Sequence, residues 1–316
     1  MISFLTFFII KLPEGDAADR LYSVLAQGDT PVDYEIIVEF RWYMGLDKPA
    51  YLRYVMWIWH LMQGDLGRSI QYRSVVQMPV KQIIADRLWL TIVLTRFTML
   101  VTWSFAIPVG IYSAVRQHSV GDYVFTLLGF SGLAVPDFLL GLVLMYVAFA
   151  YFDQSVGGLL SADYMNAPWN ASKFLDLINH LWIPAVVLGT SGTASLIRIM
   201  RNNLLDELAK PYVVTARAKG VSSFRLIVKY LVRVAINPLI STVGYLLPAL
   251  ISGSVIVSVV LSLPTMGPLL LAGIQDQDSY LAGFIVLMLG VLTVLGTLIS
   301  DILLVVVDPR IRYTDR

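Results

Sequence analysis

The chain has 316 residues, of which 57% are hydrophobic and 14% charged, with a net charge of +1 and no cysteine. Soluble domains carry roughly 25% charged residues, so this deficit, together with a mean hydropathy of +0.71, points to helices that face lipid. Near-neutral charge argues against a nucleic-acid partner, absence of cysteine removes disulfides and thiolate chemistry, and His60, His118 and His180 lack the spacing of a zinc site.

In chain order, the first apolar run is Met1–Ile10. Ten residues give about 15 Å of helix, half of what a bilayer core requires. The run has neither a basic leader nor a small-residue cleavage site. It reads either as an interfacial stub or as the outer half of a span that begins upstream. We take residues 1–11 as a truncated first span. Residues 12–88 follow as an amphipathic segment. Between 12 and 87 it carries eight basic and ten acidic residues, the balance of a solvated surface. Pro31–Met44 and Tyr51–Met62 have helical apolar spacing and are separated by Gly45–Pro49. Trp42, Trp57 and Trp59 suit a membrane–water boundary. This segment reads as a cap resting on a helical bundle, or as a contact surface for a soluble partner.

Five longer apolar stretches lie within residues 89–316: Phe97–Val115, Tyr123–Phe152, about Leu181–Ile197, Ile236–Leu263 and Leu281–Val307. About 20 apolar residues suffice to cross a bilayer. Segment 198–233 has eight Lys or Arg against Asp206 and Glu207, whereas 153–180 has three Asp and one Lys. Basic loops stay in the cytoplasm. That rule places 116–122, 198–233 and the tail from Asp308 inside, and 12–88 outside. Asp137 follows Pro136 near the middle of the second long stretch. A carboxylate in a span costs roughly 2.5–3.5 kcal/mol, so Asp137 is a candidate for the translocation pathway, against a capped or paired residue at a helix kink.

The basic loop, about 198–235, has its own punctuation. Pro211 fits the first position of a helix and Gly220 a left-handed C-terminal cap. Ser222 or Ser223 is placed to cap a second helix over Phe224–Asn237, stopped or kinked by Pro238. Phe224, Ile227, Val228 and Leu231 stripe one side of that helix; Arg225, Lys229 and Arg233 line another. The expected result is a helix–turn–helix projecting from the bundle. It is either a docking surface for a cytoplasmic partner or a solvated loop that only fixes topology.

Four motifs carry a resemblance. Thr215-Ala216-Arg217-Ala218-Lys219-Gly220 in this loop resembles the coupling motif of permease subunits of bacterial ABC importers, above all of the dipeptide/oligopeptide branch. Leu12-Pro13-Glu14-Gly15-Asp16, Gly64-Asp65-Leu66-Gly67-Arg68-Ser69 and Asp308-Pro309-Arg310-Ile311-Arg312-Tyr313 are similar to that branch's other motifs, in the same order. The resemblance implies an all-α integral membrane protein of the bacterial inner membrane, with a type I ABC importer-like fold of six spans, the first truncated here. It implies a second permease subunit (a heterodimer), two ATPase subunits and an extracytoplasmic solute-binding protein as partners, besides the lipid bilayer. Residues 215–220 would couple this chain to an ATPase. No phosphate-binding loop occurs, so the chain is not expected to be an enzyme or to hold a cofactor; ATP and Mg would bind the partner ATPases. The solute implied is a peptide, with oligosaccharides as the alternative.

The chain departs from the family pattern in places. Val214-Thr215-Ala216 stands where the broader family often has Glu-Ala-Ala, and Leu261–Gly267 replaces a more usual Trp-Pro-Gly-Leu-Gly version. Two remote readings compete. A secondary transporter would show several charges in its spans or inverted repeats. An intramembrane serine protease is suggested by Gly129-Phe130-Ser131-Gly132, but it needs a histidine base on a later helix, and His180 is the only candidate.

Overall fold

A computed structural model of the chain describes residues 2–9, 16–26, 33–69, 78–154, 157–165, 167–252 and 255–307. Its elements in chain order are α1 (Ile2–Ile9), α2 (Ala17–Leu25), α3 (Tyr34–Tyr43), α4 (Ala50–Met62), the short strands β1 (Arg68–Ser69) and β2 (Met78–Pro79), then α5 (Val80–Val115), α6 (Val120–Ala134), α7 (Asp137–Phe152), α8 (Ala162–Met165), α9 (Ala171–Leu208) and α10 (Pro211–Ala218). There follow α11 (Ser223–Leu226), a π-helical turn over Ile227–Leu231, α12 (Val232–Ala235), α13 (Asn237–Ser252), α14 (Val255–Val260), α15 (Met266–Gln275) and α16 (Ser279–Val307). The motifs at 12–15 and 308–313 lie outside the described residues.

The chain divides into two compact units. One comprises Met1–Thr91 and Pro264–Val291. Here β1 and β2 pair antiparallel, Arg68 opposite Pro79. Helices α3 and α4 are joined by a turn in which Gly45 takes φ +60°, a left-handed conformation that suits glycine. Trp57 on α4 is buried and stacks on Phe7 of α1, with ring centroids 5.8 Å apart. Asp16 and Asp19 both receive Arg41, at 3.0 and 2.8 Å. The Thr91 hydroxyl accepts the backbone N–H of Met266 at 3.1 Å, which satisfies an otherwise orphaned donor at the start of α15.

The other unit comprises Ile92–Leu263 and Leu292–Arg316. Its axis is α9, against which α6 and α7 pack. Helices α6 and α9 run antiparallel: Asp122 pairs with Arg201, and a Cβ at Gly132 would meet Thr190 at 2.6 Å. Small residues let membrane helices approach this closely. Helices α13 and α16 do the same, since a Cβ on Gly296 would fall 2.6 Å from the Gly244 carbonyl oxygen.

Among the described residues the architecture is all-α apart from one strand pair. Among the described residues four helices are long and apolar enough to cross a membrane, or five if the pair α6 and α7 forms one span. The expected six are not reached, and α1, with eight residues, is too short to count. The stretch Tyr123–Phe152 is not one continuous helix, as the sequence suggested. It breaks at Val135–Pro136 and the two parts are bent by 103°, because proline cannot donate and restricts the residue before it. Helix α9 extends the expected Leu181–Ile197 at both ends, and α5 begins well before Phe97. The stretch Ile236–Leu263 is divided between α13 and α14.

Candidate functional site

The loop after α9 is built around one short helix and one turn. Pro211 opens α10 at its first turn. Gly220 closes it with φ +75°. The Gly220 N–H donates to the Arg217 carbonyl at 2.9 Å and the Val221 N–H to the Ala216 carbonyl at 3.2 Å. These two bonds satisfy the last carbonyls of the helix, and the left-handed backbone at Gly220 makes them possible. A Cβ at Gly220 would meet nothing within 4 Å, so glycine is required there for backbone conformation and not for space. Ser222 stands at the start of the next helix with extended backbone, as expected, but its side chain makes no capping hydrogen bond.

Helix α10 does not project freely. Val213, 1% exposed, enters a core shared with Ala114 of α5, Met200 and Leu204 of α9, Leu226 and Leu231. Burying one such aliphatic side chain contributes about 1.5–3 kcal/mol. Ala216 and Val221 pack on the same core. A second attachment is polar. Glu207, near the end of α9 and 6% exposed, accepts from Lys210 Nζ and from the Tyr212 hydroxyl, the latter at 2.6 Å. One buried carboxylate thus ties the end of α9 to the start of α10. Sequence reading missed Glu207; the signal available was its spacing of three from Lys210 and five from Tyr212.

The face of α10 away from this core carries Thr215, Arg217 and Ala218, with Lys219 and Gly220 following, all exposed; Ala216 is half-buried. Tyr212, Val214 and Phe224 add large exposed apolar side chains to the same loop, Phe224 at 78% exposure. Neither Arg217 nor Lys219 has a carboxylate within ion-pair distance among the described residues.

The helix after the turn corrects one expectation in part. Its buried residues before α13 are Leu226, Leu231 and Ala235, and Leu239 continues that line in α13. Of the stripe Phe224, Ile227, Val228, Leu231 only half packs: Leu231 is buried and Ile227 lies against the core, whereas Phe224 and Val228 are exposed. The step from Leu226 to Leu231 is five residues, which an α-helix of 3.6 residues per turn does not keep on one face. The π turn at Ile227–Leu231 adds the extra residue and realigns the two leucines. The expected interruption near Pro238 is present: α12 ends at Ala235, Ile236 is a turn residue, and the chain continues as α13. Here Pro238 sits in the first turn, where its missing N–H is harmless.

Asp137 lies apart from this loop in the sequence and is not in the middle of a helix. It is the first residue of α7, behind Pro136 at the 103° break, and is half-buried. A carboxylate suits a helix N-terminus, where unpaired N–H groups gather. The serine-protease geometry is not met. Ser131 adjoins Gly132, which faces Thr190, and His180 lies ten residues earlier on α9, about 15 Å along the helix. The His180 Nδ1 instead pairs with the Asp176 carbonyl at 2.8 Å.

A helical bundle with several candidate spans and a short, firmly seated, basic surface helix defines a multi-pass membrane protein. Residues 106–313 match the model of the family described as "Binding-protein-dependent transport system inner membrane component", and the chain belongs to that family. It is a multi-pass inner-membrane protein of the ABC importer permease type. It is 35% identical, over 99% of this chain and 94% of the relative, to the oligopeptide transport system permease protein AppB of Bacillus subtilis (strain 168). It is 29% identical, with the same two coverages, to the dipeptide transport system permease protein DppB of Escherichia coli (strain K12). Among solved structures, inward facing conformations of the MetNI methionine ABC transporter match with a TM-score of 0.53 and 16% identity, over 72% of this chain and 97% of that one. That likeness is one of fold.

Proposed function

We propose that this chain is the permease subunit of an ATP-driven peptide importer and that α10 with its Gly220 turn is the part an ATPase grips. The observation that carries this reading is the two-faced construction of α10. Its underside is fixed by Val213 and by the Tyr212 hydroxyl on Glu207, while Val214 and Arg217, with Lys219 and Phe224 just beyond it, face solvent. A loop that only marked topology needs its positive charge but not a buried anchor on two helices. Force applied to a seated helix passes into α9 through Met200 and Leu204, and into the helix that runs on as α13.

The family is binding-protein-dependent, so a solute-binding protein and an ATPase belong to the working assembly. In finer detail, the assembly proposed has a second, non-identical permease, two ATPase subunits that bind ATP and Mg, and no cofactor in this chain. The relatives named for oligopeptide and dipeptide transport support a peptide solute. The position of Asp137 at the α6–α7 break supports a place beside the translocation pathway, where an interrupted helix exposes backbone and a carboxylate together. Uptake into proteoliposomes that contain the whole assembly tests the solute. Labelled di- to pentapeptides should enter with ATP and the cognate binding protein. Import of oligosaccharides but of no peptide would overturn the peptide reading and leave the permease reading standing.

A further inference from the structure

A cleft of about 450 Å³ opens between α6 and α9, within the roughly 300–1,000 Å³ of small-ligand sites. It is sorted by polarity along its length. His118, Asp122, Arg201 and Asn202 lie at one end; Phe125, Phe130, Ala194 and Ile197 line the remainder. Arg201 is neutralised by Asp122, which it meets with two nitrogens at 3.1 and 3.2 Å. Arg198 is different. It is exposed in the cleft, its guanidinium lies 5.0 Å from the centre of the Phe130 ring, and no carboxylate pairs with it among the described residues. It stands on α9 just past the expected span end at Ile197, one turn before Arg201, and Tyr123, Val124 and Leu127 beside the cleft are exposed apolar side chains. An arginine at the cytoplasmic edge of an apolar surface is placed to meet an anionic headgroup, and the ring face beside it occupies only one side of its guanidinium. A guanidinium matches the paired oxygens of a phosphate.

We infer that this cleft binds one anionic phospholipid, with its phosphate on Arg198 and its upper acyl chain along Phe125, Phe130 and Ile197. The polar end belongs to the Arg116–Asp122 turn, which the charge pattern places at the cytoplasmic leaflet. Basic pockets between membrane helices on that side suit anionic headgroups. An acyl chain explains the apolar remainder, which an inorganic anion would leave unused. The inference does not depend on which solute the importer carries.

The test is native mass spectrometry of the full chain, released from bilayers of equal phosphatidylglycerol and phosphatidylcholine. The wild type should retain phosphatidylglycerol in preference to phosphatidylcholine. Arg198→Gln should reduce that retention by about fivefold, the worth of one basic residue near an anionic surface, and Arg198→Lys should restore part of it. Thr126→Trp, which fills the cleft and keeps the Arg198 charge, should lower retention as well. Wild-type retention in Arg198→Gln, equal retention of the two lipids, or displacement of the lipid by inorganic phosphate would each overturn the inference. So would a crosslink from Thr126→Cys to the second permease in the assembled complex, because it would show a protein partner in the cleft.

Discussion

Asp122 is 3% exposed and holds three things at once: the Arg201 guanidinium, the His118 backbone N–H at 3.0 Å, and, through its own N–H, the Ser119 hydroxyl at 3.2 Å. It therefore joins Ser119, the N-cap of α6, in holding the start of that helix, and it locks α6 to α9. Removing one partner of a buried pair leaves a charge uncompensated, which costs about 3–5 kcal/mol, whereas removing both together costs far less. Arg201 is a quarter exposed, so the lower end applies. Arg201→Met should lower the thermal midpoint of the purified chain markedly, and Asp122→Asn added to it should recover part of the loss. A double mutant as unstable as the sum of the two singles would show that the pair is not coupled. At Gly220 the expected penalty comes from backbone conformation. Gly220→Ala should cost about 1 kcal/mol, because φ +75° disfavours any Cβ even in open space. Gly220→Pro should break the turn, since it forbids that φ and deletes the N–H that bonds Arg217. Peptide-stimulated ATP hydrolysis by the assembled importer separates the two: reduced for alanine, lost for proline. Ala216 faces the core as much as a partner, so a bulky residue there should unseat α10, and exposed Ala218 is the better position to probe docking.

At the scale of elements, the π turn is the feature that sequence reading could not see. An apolar stripe at positions 224, 227, 228 and 231 follows the α-helical period, and only a one-residue insertion turns Leu226 and Leu231 onto the same face. Deleting Val228, an exposed residue within the turn, should convert it to ordinary α-helix and keep both leucines buried. That variant should insert and fold with a thermal midpoint near wild type; failure to fold would contradict this account of the register. Close approach gives an opposite case. Gly296→Val should push α16 off α13, because its Cβ would fall 2.6 Å from the Gly244 carbonyl oxygen, and a drop in folded yield after detergent extraction is the readout. Local punctuation was legible: Pro211, Gly220 and the turn at Gly45 appear where their chemistry requires them. The break at Pro136 was half legible, since a proline stood in the run but apolar composition on both sides read as one span. The Asp122–Arg201 pair was not legible, because 79 residues separate its partners.

At the scale of the molecule, apolar composition and charge asymmetry indicated a multi-span membrane protein, and motif order indicated its family. The structure adds how the basic loop is held. Val213 and Glu207 fix α10 to the helices beside it, which is what the proposed role as a lever requires. The central claim is that ATP hydrolysis in a partner drives solute movement through this lever. The most direct measurement is ATP-dependent peptide uptake by proteoliposomes containing the complete importer, run in parallel with ATP hydrolysis, for wild type and for a variant with Arg217 and Lys219 both changed to Glu. The account predicts that the variant assembles in the membrane yet loses both uptake and peptide-stimulated hydrolysis. Wild-type uptake and hydrolysis in the charge-reversed protein would contradict it and reduce the loop to a signal for membrane orientation.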